Sequence, residues 1–395
     1  MRRRSQLATC SVGYAGKMIN NIGNDLIHYK VTDSSDDPIN PKPNTLRYGA
    51  SIIQGKVWIT FQKDMIITLE KPLLISSFTT IDGRGVNVHI ANNACLMIFK
   101  ATNIIIHNIR VHHCKPQAPG IVMGPKGKVI PLGHVDGDAI RLVTASKIWI
   151  DHNTLYDCQD GLLDVTRGST DVTISNNWFK NQDKVILLGH DDGYVRDKNM
   201  KVTVMYNHFG PNCNQRMPRI RHGYAHVANN LYQGWLQYAI GGSMEPSLKS
   251  EANLFVAPTI GNKEAIHYDT TRLIRIRITW LDSADACTCG GYLCSPPSYV
   301  LQNNQHPNKH KPFRNFRNNY TNALSRLTPG SGRRASLRRE ALAQASPFRL
   351  GEGSKKEAGA HAGSRLGETP LAWARCSLAQ KLSWSPERLF RAKRF

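Results

Sequence analysis

The segment DVTISNNWF (171–179) is one copy of a recurring pattern: a polar lead-in, alternating β-branched residues, then Asn and an apolar or aromatic pair. KIWIDHNTL (147–155) and KVTVMYNHF (201–209) repeat it closely. Looser copies are NIIIHNIRV (103–111), AHVANNLY (225–232) and SEANLFV (250–256). The recurrent residues Asn108, Asn153, Asn177, Asn207, Asn230 and Asn253 are separated by 45, 24, 30, 23 and 23 positions. A short unit therefore recurs, with insertions in two intervals.

This repeat predicts a solenoid. The apolar runs are too short for helices, and one strand cannot bury its inward face alone, whereas stacked coils bury a continuous core. Leucine-rich repeats need Leu where these units have Val, Ile and Trp, and a β-sandwich would match this register only by chance. We therefore predict an all-β, right-handed parallel β-helix. The recurrent Asn should adopt a left-handed bend and form a ladder with the Asn of the next coil.

The remaining sequence suggests three parts. We expect residues 1–40 to be a partly helical cap over the open end of the solenoid, and residues 41–264 to be the β-helix. Residues 265–395 contain 22 basic and 8 acidic side chains without apolar periodicity, against 29 and 21 in the rest of the chain. This composition predicts a disordered basic tail, such as translated intron sequence would give. No run of ~18 apolar residues occurs, which argues against a membrane-spanning helix.

Four aspartates are spaced so that the coils bring them together. Asp136 and Asp160 are 24 residues apart, one repeat, and residues one repeat apart lie about 4.8 Å from each other in a parallel sheet. Asp164 follows in the same segment as Asp160, and Asp138 is close to Asp136. Close carboxylates repel unless a cation joins them, and an all-oxygen set suits Ca²⁺. Solvated turn aspartates are the alternative.

Basic residues follow these aspartates along the predicted groove. Lys184 lies 24 residues after Asp160, and RMPRIR supplies Arg216, Arg219 and Arg221. A groove for nucleic acid would not normally have Asp on its floor, although the net charge of +22 invites that interpretation. A polyanion bridged to the protein by Ca²⁺ would need both signs of charge.

These stretches resemble the plant pectate lyases, the family that includes pollen pectate-lyase-like allergens. Matching segments include TIDGRGVNVHI, DGDAIRLVTASKIWIDHNTLYDCQDGLLDV, KVILLGHDD and NHFGPNCNQRMPRIRHG, within about residues 2–264. The resemblance stops after this region. It implies a Ca²⁺-dependent pectate lyase that cleaves (1→4)-α-D-galacturonan by β-elimination and releases 4,5-unsaturated oligogalacturonides.

The resemblance also implies a role for individual residues. The family's positions correspond to Ca²⁺ ligands Asp136, Asp160 and Asp164 (with Asp138 assisting), catalytic base Arg216, and substrate-carboxylate ligands Lys184 and Arg221. An arginine base is unusual because guanidinium ordinarily stays protonated, so neighbouring cations would have to disfavour its charged form. His152 and His190 match family positions, but we favour structural hydrogen bonding for both.

The resemblance further implies a Cys95–Cys114 disulfide and an extracellular, cell-wall protein. It would be a monomer that binds polygalacturonate, without a nucleic-acid or membrane partner. The N-terminus MRRRSQLATCSVGYAG lacks an apolar signal core, so either the chain begins after a signal peptide or the gene encodes none. Two other functions stay open: a catalytically silent, pectin-binding, allergen-like β-helix, and a nucleic-acid binder that acts through the basic tail.

Overall fold

Three parallel β-sheets wind around a common core. The computed structural model describes residues 4–268 and the strand segments 277–281 and 286–288. Within this part of the chain, every pairing inside the three sheets is parallel, and the chain passes from one sheet to the next as it advances. Residues one turn apart are therefore neighbours in a sheet, which confirms the predicted β-helix.

The strands, numbered along the chain, divide by sheet. The first sheet contains, in spatial order, β1 (Leu26–Val31), β2 (Lys56–Phe61), β5 (Thr79–Asp82), β8 (Thr102–His107), β13 (Ser146–Asp151), β16 (Thr170–Ser175), β19 (Lys201–Met205), β23 (Tyr224–Ala228), β26 (Ser247–Glu251) and β29 (Arg277–Leu281). The second contains β4 (Leu73–Leu74), β7 (Leu96–Phe99), β12 (Ile140–Val143), β15 (Gly161–Thr166), β18 (Gln182–Leu188), β22 (Arg219–Arg221), β25 (Ile240–Ser243) and β28 (Ile266–Tyr268), with β21 (Cys213–Gln215) also on β18. The third contains β3 (Met65–Ile67), β6 (Val88–Ala91), β9 (Arg110–His112), β14 (Thr154–Tyr156), β17 (Trp178–Lys180), β20 (His208–Phe209), β24 (Leu231–Gln233), β27 (Leu254–Val256) and β30 (Ala286–Thr288).

The two long repeat intervals hold inserted elements. An antiparallel hairpin of β10 (Gly120–Gly124) and β11 (Lys128–Leu132) lies in the first interval. A 3₁₀ turn, Val195–Asn199, lies in the third. Other helical turns are short: 3₁₀ turns at Arg4–Thr9, Gly13–Ala15, Ile19–Asn21 and Pro125–Gly127, and a π turn at Tyr48–Ile52.

Apolar side chains of all three sheets fill the core. Val172 and Ile174 of β16 are fully buried, in register with Ile148 and Ile150 of β13. On the third sheet, aromatic rings stack from coil to coil, with centroids 4.5–5.1 Å apart, at Phe179, Phe209, Tyr232 and Phe255. Burial of this continuous apolar column stabilises the stacked coils.

The recurrent asparagines form the predicted ladder. The Oδ1 atom of Asn177 accepts hydrogen bonds from the backbone N (2.9 Å) and Nδ2 (3.1 Å) of Asn153. The same pair of bonds continues to the next coils through Asn207, Asn230 and Asn253. These side chains are buried, so the ladder satisfies polar groups that the tight bends would otherwise leave without partners.

The left-handed bend lies one residue before the ladder position, so the prediction that the ladder Asn adopts it is wrong. His152 (φ 57°), Asn176 (φ 54°) and Tyr206 (φ 58°) hold that conformation. Asn108 (φ 59°) shares the bend position and is not in the ladder. Ile109 takes its place there, and its backbone N donates to Asn153 Oδ1 at 3.0 Å. The sequence copy around Asn108 was therefore aligned one residue out of register.

The N-terminal segment lies along the side of the solenoid, not over its end as we expected. Met18 and Ala15 pack with Trp58 and Trp149 on the outer face of the first sheet. The backbone N of Ala15 donates to Thr173 Oγ1 at 3.1 Å. Strand β1 also falls inside the expected cap, because it pairs with β2 as part of the first sheet.

The coils continue past residue 264, where we placed the end of the β-helix. β28 pairs with β25, β29 with β26 and β30 with β27, so each sheet gains one more strand. The sequence suggested a strand in LIRIRITW (273–280), and β29 overlaps it. The predicted disordered tail otherwise lies outside the described residues. Within those residues, no helix is long and apolar enough to cross a membrane.

Candidate functional site

The second sheet positions nearly all of the charged residues that the sequence singled out. Asp136 and Asp138 precede β12, Asp160 precedes β15, and Asp164 lies within β15. Lys184 is in β18, Arg216 lies between β21 and β22, and Arg221 ends β22. Because these strands are neighbours in one parallel sheet, the side chains that leave its outer face form one charged row.

Three carboxylates meet at the start of β12 and β15. One carboxylate oxygen each from Asp136, Asp138 and Asp160 lies within 4.8 Å of the others. Register alone would not stack them, because Ile140 is opposite Leu163 and one repeat here is 23 residues, not 24. The side chains converge although Asp160 is one position out of line with Asp136.

Asp138 is the buried member of this trio. It is 4% exposed, and its Oδ1 accepts a hydrogen bond from the backbone N of Gly161 at 2.8 Å. Its Oδ2 is buried without a hydrogen-bond partner among the described residues. Burial, with the nearby Asp160 charge, raises the pKa of Asp138 to about 6. An orphaned carboxylate oxygen beside two other carboxylates fits a hard cation such as Ca²⁺.

Asp164 is close to Asp138 but does not belong to that trio. A Cβ atom on Gly161 would lie 2.9 Å from Asp138 Oδ1 and 3.0 Å from Asp164 Oδ1, so both carboxylates crowd the space that a side chain here would need. Burial, and then the Asp138 charge, raise the pKa of Asp164 well above its usual range. Glycine at 161 therefore makes room for a fourth carboxylate, and the residues present fit a divalent cation.

Lys184 forms an ion pair across the coils with the trio. Its Nζ lies 2.8 Å from Asp160 Oδ1, and both side chains remain partly exposed. Residues 157–160 and 181–184 line a shallow depression beside this pair. The ammonium group is thus at the surface, next to the carboxylates, where it could meet an anionic ligand.

Arg216 lies at a sharp turn between β21 and β22. Its backbone is left-handed (φ 62°), and its carbonyl oxygen accepts a hydrogen bond from Ile186 N at 2.6 Å. Its Nε is buried without a hydrogen-bond partner among the described residues. Its positive charge also acts on Asp164. The guanidinium is therefore close enough to act on the carboxylate row, and its Nε has no hydrogen-bond partner among the described residues.

Arg221 is held by a loop that the sequence did not connect with it. Its Nε lies 3.3 Å from Asp192 Oδ1, and its Nη1 donates to the backbone O of His190 at 3.2 Å. Burial, followed by the positive charges of Arg219 and Arg216, lowers the pKa of Arg221. Sequence reasoning did not include Asp192 in the site. The HDD segment was the available signal.

Asp197 orders this loop. Its carboxylate is fully buried and accepts hydrogen bonds from Gly168 N (2.6 Å) and His190 N (2.7 Å). It thereby fixes the backbone that holds Arg221. The acidic loop after β18 is consequently part of the site's framework, and no repeat in the sequence marks it.

Arg141 is a second residue that sequence reasoning missed. It lies on β12 opposite Asp164, and its Nη1 is 3.3 Å from Asp136 Oδ2 and 4.0 Å from Asp138 Oδ2. Its Nε is buried without a hydrogen-bond partner among the described residues. The sequence signal for Arg141 was its position between the apolar residues Ile140 and Leu142, because this alternation places Arg141 on the outer face of the second sheet.

The histidines and cysteines have structural surroundings. His152 Nδ1 lies 2.7 Å from the buried Asp151 Oδ2, and His107 Nδ1 lies 2.9 Å from the same atom. Cys95 and Cys114 form a disulfide bond, as the family resemblance implied. Burial raises the pKa values of the Cys158 and Cys213 thiols to about 12, which keeps both thiols protonated and unreactive.

Comparisons with known proteins agree on one family. A protein-family model described as pectate lyase matches residues 68–270, about half of the chain. Probable pectate lyase 8 of Arabidopsis thaliana is 52% identical over 258 residues, which cover 65% of this chain and 61% of that protein. Pectate lyase 1 of Juniperus virginiana is 43% identical over 340 residues, covering 84% of this chain and 89% of that protein.

A solved structure is similar as well. The crystal structure of jun a 1, the major allergen from cedar pollen, is 47% identical with a TM-score of 0.66, over 68% of this chain and 77% of that one. The chain spans about 60% of the length of several Arabidopsis relatives, among them probable pectate lyase 8.

The similarity also reaches further along the chain than the motifs suggested. The Juniperus match covers 84% of this chain, whereas residues 1–264 make up only about two thirds of it. At least part of 265–395 therefore has a counterpart in that relative. This corrects the expectation that the resemblance stops after residue 264.

Proposed function

The chain belongs to the pectate lyase family, and we propose that it is a Ca²⁺-dependent pectate lyase. Its substrate would be the (1→4)-α-D-galacturonan of de-esterified pectin, cleaved by β-elimination to 4,5-unsaturated oligogalacturonides. The observation that carries the proposal is one row of side chains, with clustered carboxylates at one end and three arginines at the other. A polyuronate needs both: a cation to bridge its carboxylates to the acidic end, and basic side chains to bind them directly.

Asp136, Asp160 and Asp164 would hold Ca²⁺, with Asp138 as an additional ligand. Two observations support this assignment: the buried Oδ2 of Asp138 has no hydrogen-bond partner among the described residues, and one carboxylate oxygen of Asp138 lies within 4.8 Å of oxygens of Asp136 and Asp160. Bound there, Ca²⁺ would neutralise a uronate carboxylate and stabilise the negative charge that develops beside it.

The elimination needs a base at C5 of the uronate. The C5 proton is weakly acidic because it lies next to the carboxyl group. Arg216, as the neutral guanidine, would accept it. The C–H electron pair becomes the C4–C5 double bond, and the C4–O bond breaks. Its electron pair leaves with the glycosidic oxygen, which takes a proton from water.

The surroundings of Arg216 support an arginine base. Arg219 and Arg221 lie on the next strand, and the lowered pKa of Arg221 reflects burial together with its neighbouring arginines. Lys184 and Arg221 would bind the carboxylates of the substrate and set its register against the base.

Substitution of the base separates chemistry from binding. Arg216→Lys should abolish formation of unsaturated product from polygalacturonate, while calorimetric Ca²⁺ binding stays within about twofold of the parent. Arg110→Lys, on the third sheet, is the matched control and should retain activity. Turnover by Arg216→Lys at the parent rate would contradict the assignment of the base.

We further propose that the protein acts outside the cell, on wall pectate, as a monomer. The Cys95–Cys114 disulfide supports an oxidising compartment. The alternative, a pectin-binding protein without turnover, is favoured by the likeness to a structure described as an allergen. Polygalacturonate binding without unsaturated product at saturating Ca²⁺ would support that alternative.

A further inference from the structure

A guanidinium group occupies the edge of the carboxylate cluster. Arg141 Nη1 lies 3.3 Å from Asp136 Oδ2 and 4.0 Å from Asp138 Oδ2. Its Cα is paired in register with that of Asp164 on the adjacent strand. The side chain is 16% exposed, so the charge is partly shielded from water. One cation thus faces three of the four carboxylates.

The cluster already carries a second internal cation. Lys184 Nζ lies 2.8 Å from Asp160 Oδ1, the remaining carboxylate of the set. With all four carboxylates ionised, Arg141 and Lys184 leave two negative charges uncompensated. Because Arg141 contacts Asp136 and Asp138, a divalent cation that enters the cluster must share these carboxylates with it. The cation then lies a few ångströms from the positive charge of the Arg141 guanidinium. Repulsion between like charges at that distance is substantial at a partly shielded site.

From this placement we infer that Arg141 is a built-in competitor for the divalent cation, and that it sets a weak calcium affinity at this site. It stabilises the cluster when the cation is absent, because it is the close cationic partner of Asp136 and Asp138. Binding of the cation displaces it from these carboxylates. This inference rests on the proposed Ca²⁺ site.

Removal of the charge tests the inference. In the full chain, Arg141→Gln should tighten Ca²⁺ binding at least tenfold, measured by isothermal titration calorimetry with CaCl₂. Arg141→Met should act in the same way, and Arg141→Lys should stay close to the parent. Arg110→Gln removes one positive charge from the third sheet and controls for net charge, so its affinity should be unchanged.

A stability measurement gives a second readout. Without Ca²⁺, Arg141→Gln should melt at a lower temperature than the parent, because close carboxylates lose their partner. The rise in melting temperature on adding saturating Ca²⁺ should be larger in the variant than in the parent. If Arg141→Gln does not fold without Ca²⁺, refolding in its presence and titration of Arg141→Met still give the affinity.

The outcomes separate this inference from the function on which it rests. Equal or weaker Ca²⁺ affinity in Arg141→Gln and Arg141→Met, with a parent that binds Ca²⁺, overturns the role of Arg141 alone. Failure of both the parent and the variants to bind Ca²⁺ overturns the proposed calcium site as well. Equal tightening in Arg110→Gln also overturns it, because the effect would then come from net charge.

Discussion

Asp82 is a fully buried carboxylate that keeps its charge through close basic partners. Trp58 Nε1 donates to its Oδ2 at 3.0 Å, and Arg84 bonds both of its oxygens at 2.8 and 2.7 Å. Arg4 of the N-terminal segment lies 3.1 Å away. Burial alone would raise the pKa of Asp82, but these contacts outweigh it and lower the value to about 2.

This lowered pKa predicts a pH dependence of stability. The ionised Asp82 contributes its full stabilisation above the unfolded-state pKa near 3.9, and the contribution is lost as pH falls toward about 2. The difference corresponds to about 2–3 kcal/mol. We expect Asp82→Asn to lower the free energy of unfolding at neutral pH and to flatten its fall between about pH 4 and 2. Urea unfolding across that range measures this.

An exposed carboxylate serves as the control for Asp82. Glu70→Gln removes an exposed carboxylate and should leave the slope of stability against pH close to the parent's. Parallel curves for Asp82→Asn and the parent over the acidic range would show that the Arg84 and Arg4 contacts do not stabilise the ionised form.

Residue types and spacing predicted which residues belong to the candidate site better than they predicted how those residues contact one another. Spacing by about one repeat brought Asp136 and Asp160 together correctly, although the register there is 23 residues. It did not predict that Asp138 is buried or that Asp192 pairs with Arg221. Those contacts depend on the path of the loops between strands, and loop paths have no periodicity to read.

Among the elements, the asparagine ladder joins one coil to the next. Asn207 accepts two hydrogen bonds from Asn177 and donates two to Asn230, and it also bonds Ile174 O at 2.9 Å. It is 2% exposed, so water cannot replace these partners. The ladder therefore fixes the register of consecutive coils at the bends, away from the strands themselves.

Truncation inside the ladder should be costly. Asn207→Ala leaves the backbone N of Asn177 without an acceptor and removes one of the two acceptors of Asn177 Nδ2, the other being Ile150 O. We expect a loss of about 3 kcal/mol in the free energy of unfolding. Asn40→Ala, at an exposed turn, should change stability by less than about 0.5 kcal/mol. Chemical denaturation of both variants decides the point, and equal midpoints would contradict a stabilising ladder.

Repeat analysis predicted which elements exist but not where each bend falls. The strands around Ile148, Val172 and Val202 were recognised because their apolar residues alternate. The bend was placed on the ladder Asn because Asn tolerates left-handed backbone. In the structure His152 and Tyr206 adopt it, which shows that the coil geometry outweighs the intrinsic preference of the residue.

For the molecule as a whole, the end of the solenoid decides which surfaces are covered. Ile240 of β25 is 1% exposed and paired with Ile266 of β28, which is itself 7% exposed. The apolar face of the preceding coil is thus covered by a coil that lies beyond residue 264. The composition of this segment did not indicate a coil, because basic residues interrupt the alternation of apolar residues.

A pair of isoleucines tests this last coil in the full chain. Ile266→Asp buries a charge and should lower the free energy of unfolding by about 3 kcal/mol or more. Ile260→Asp, at a site 88% exposed, should be nearly neutral. Thermal melts of both variants compare the sites. Similar melting temperatures would mean that Ile266 is not packed in a coil.

The net charge of the molecule is divided between residues 1–264 and residues 265–395. The net charge of +22 suggests nucleic acid, yet 14 of these charges belong to residues 265–395. The second sheet instead has clustered carboxylates at one end of a row and arginines at the other, the two signs of charge that binding a uronate polymer through Ca²⁺ would need. The net charge of the chain is therefore a poor guide to its ligand, and the arrangement of charged side chains on the second sheet is a better one.

The most direct test of the proposed function is the absorbance of unsaturated product when the full chain acts on polygalacturonate. We predict that product forms with Ca²⁺, stops when a chelator is added, and resumes when excess Ca²⁺ is restored. A folded chain that yields no product at saturating Ca²⁺, or whose product formation is unaffected by the chelator, would contradict a Ca²⁺-dependent pectate lyase.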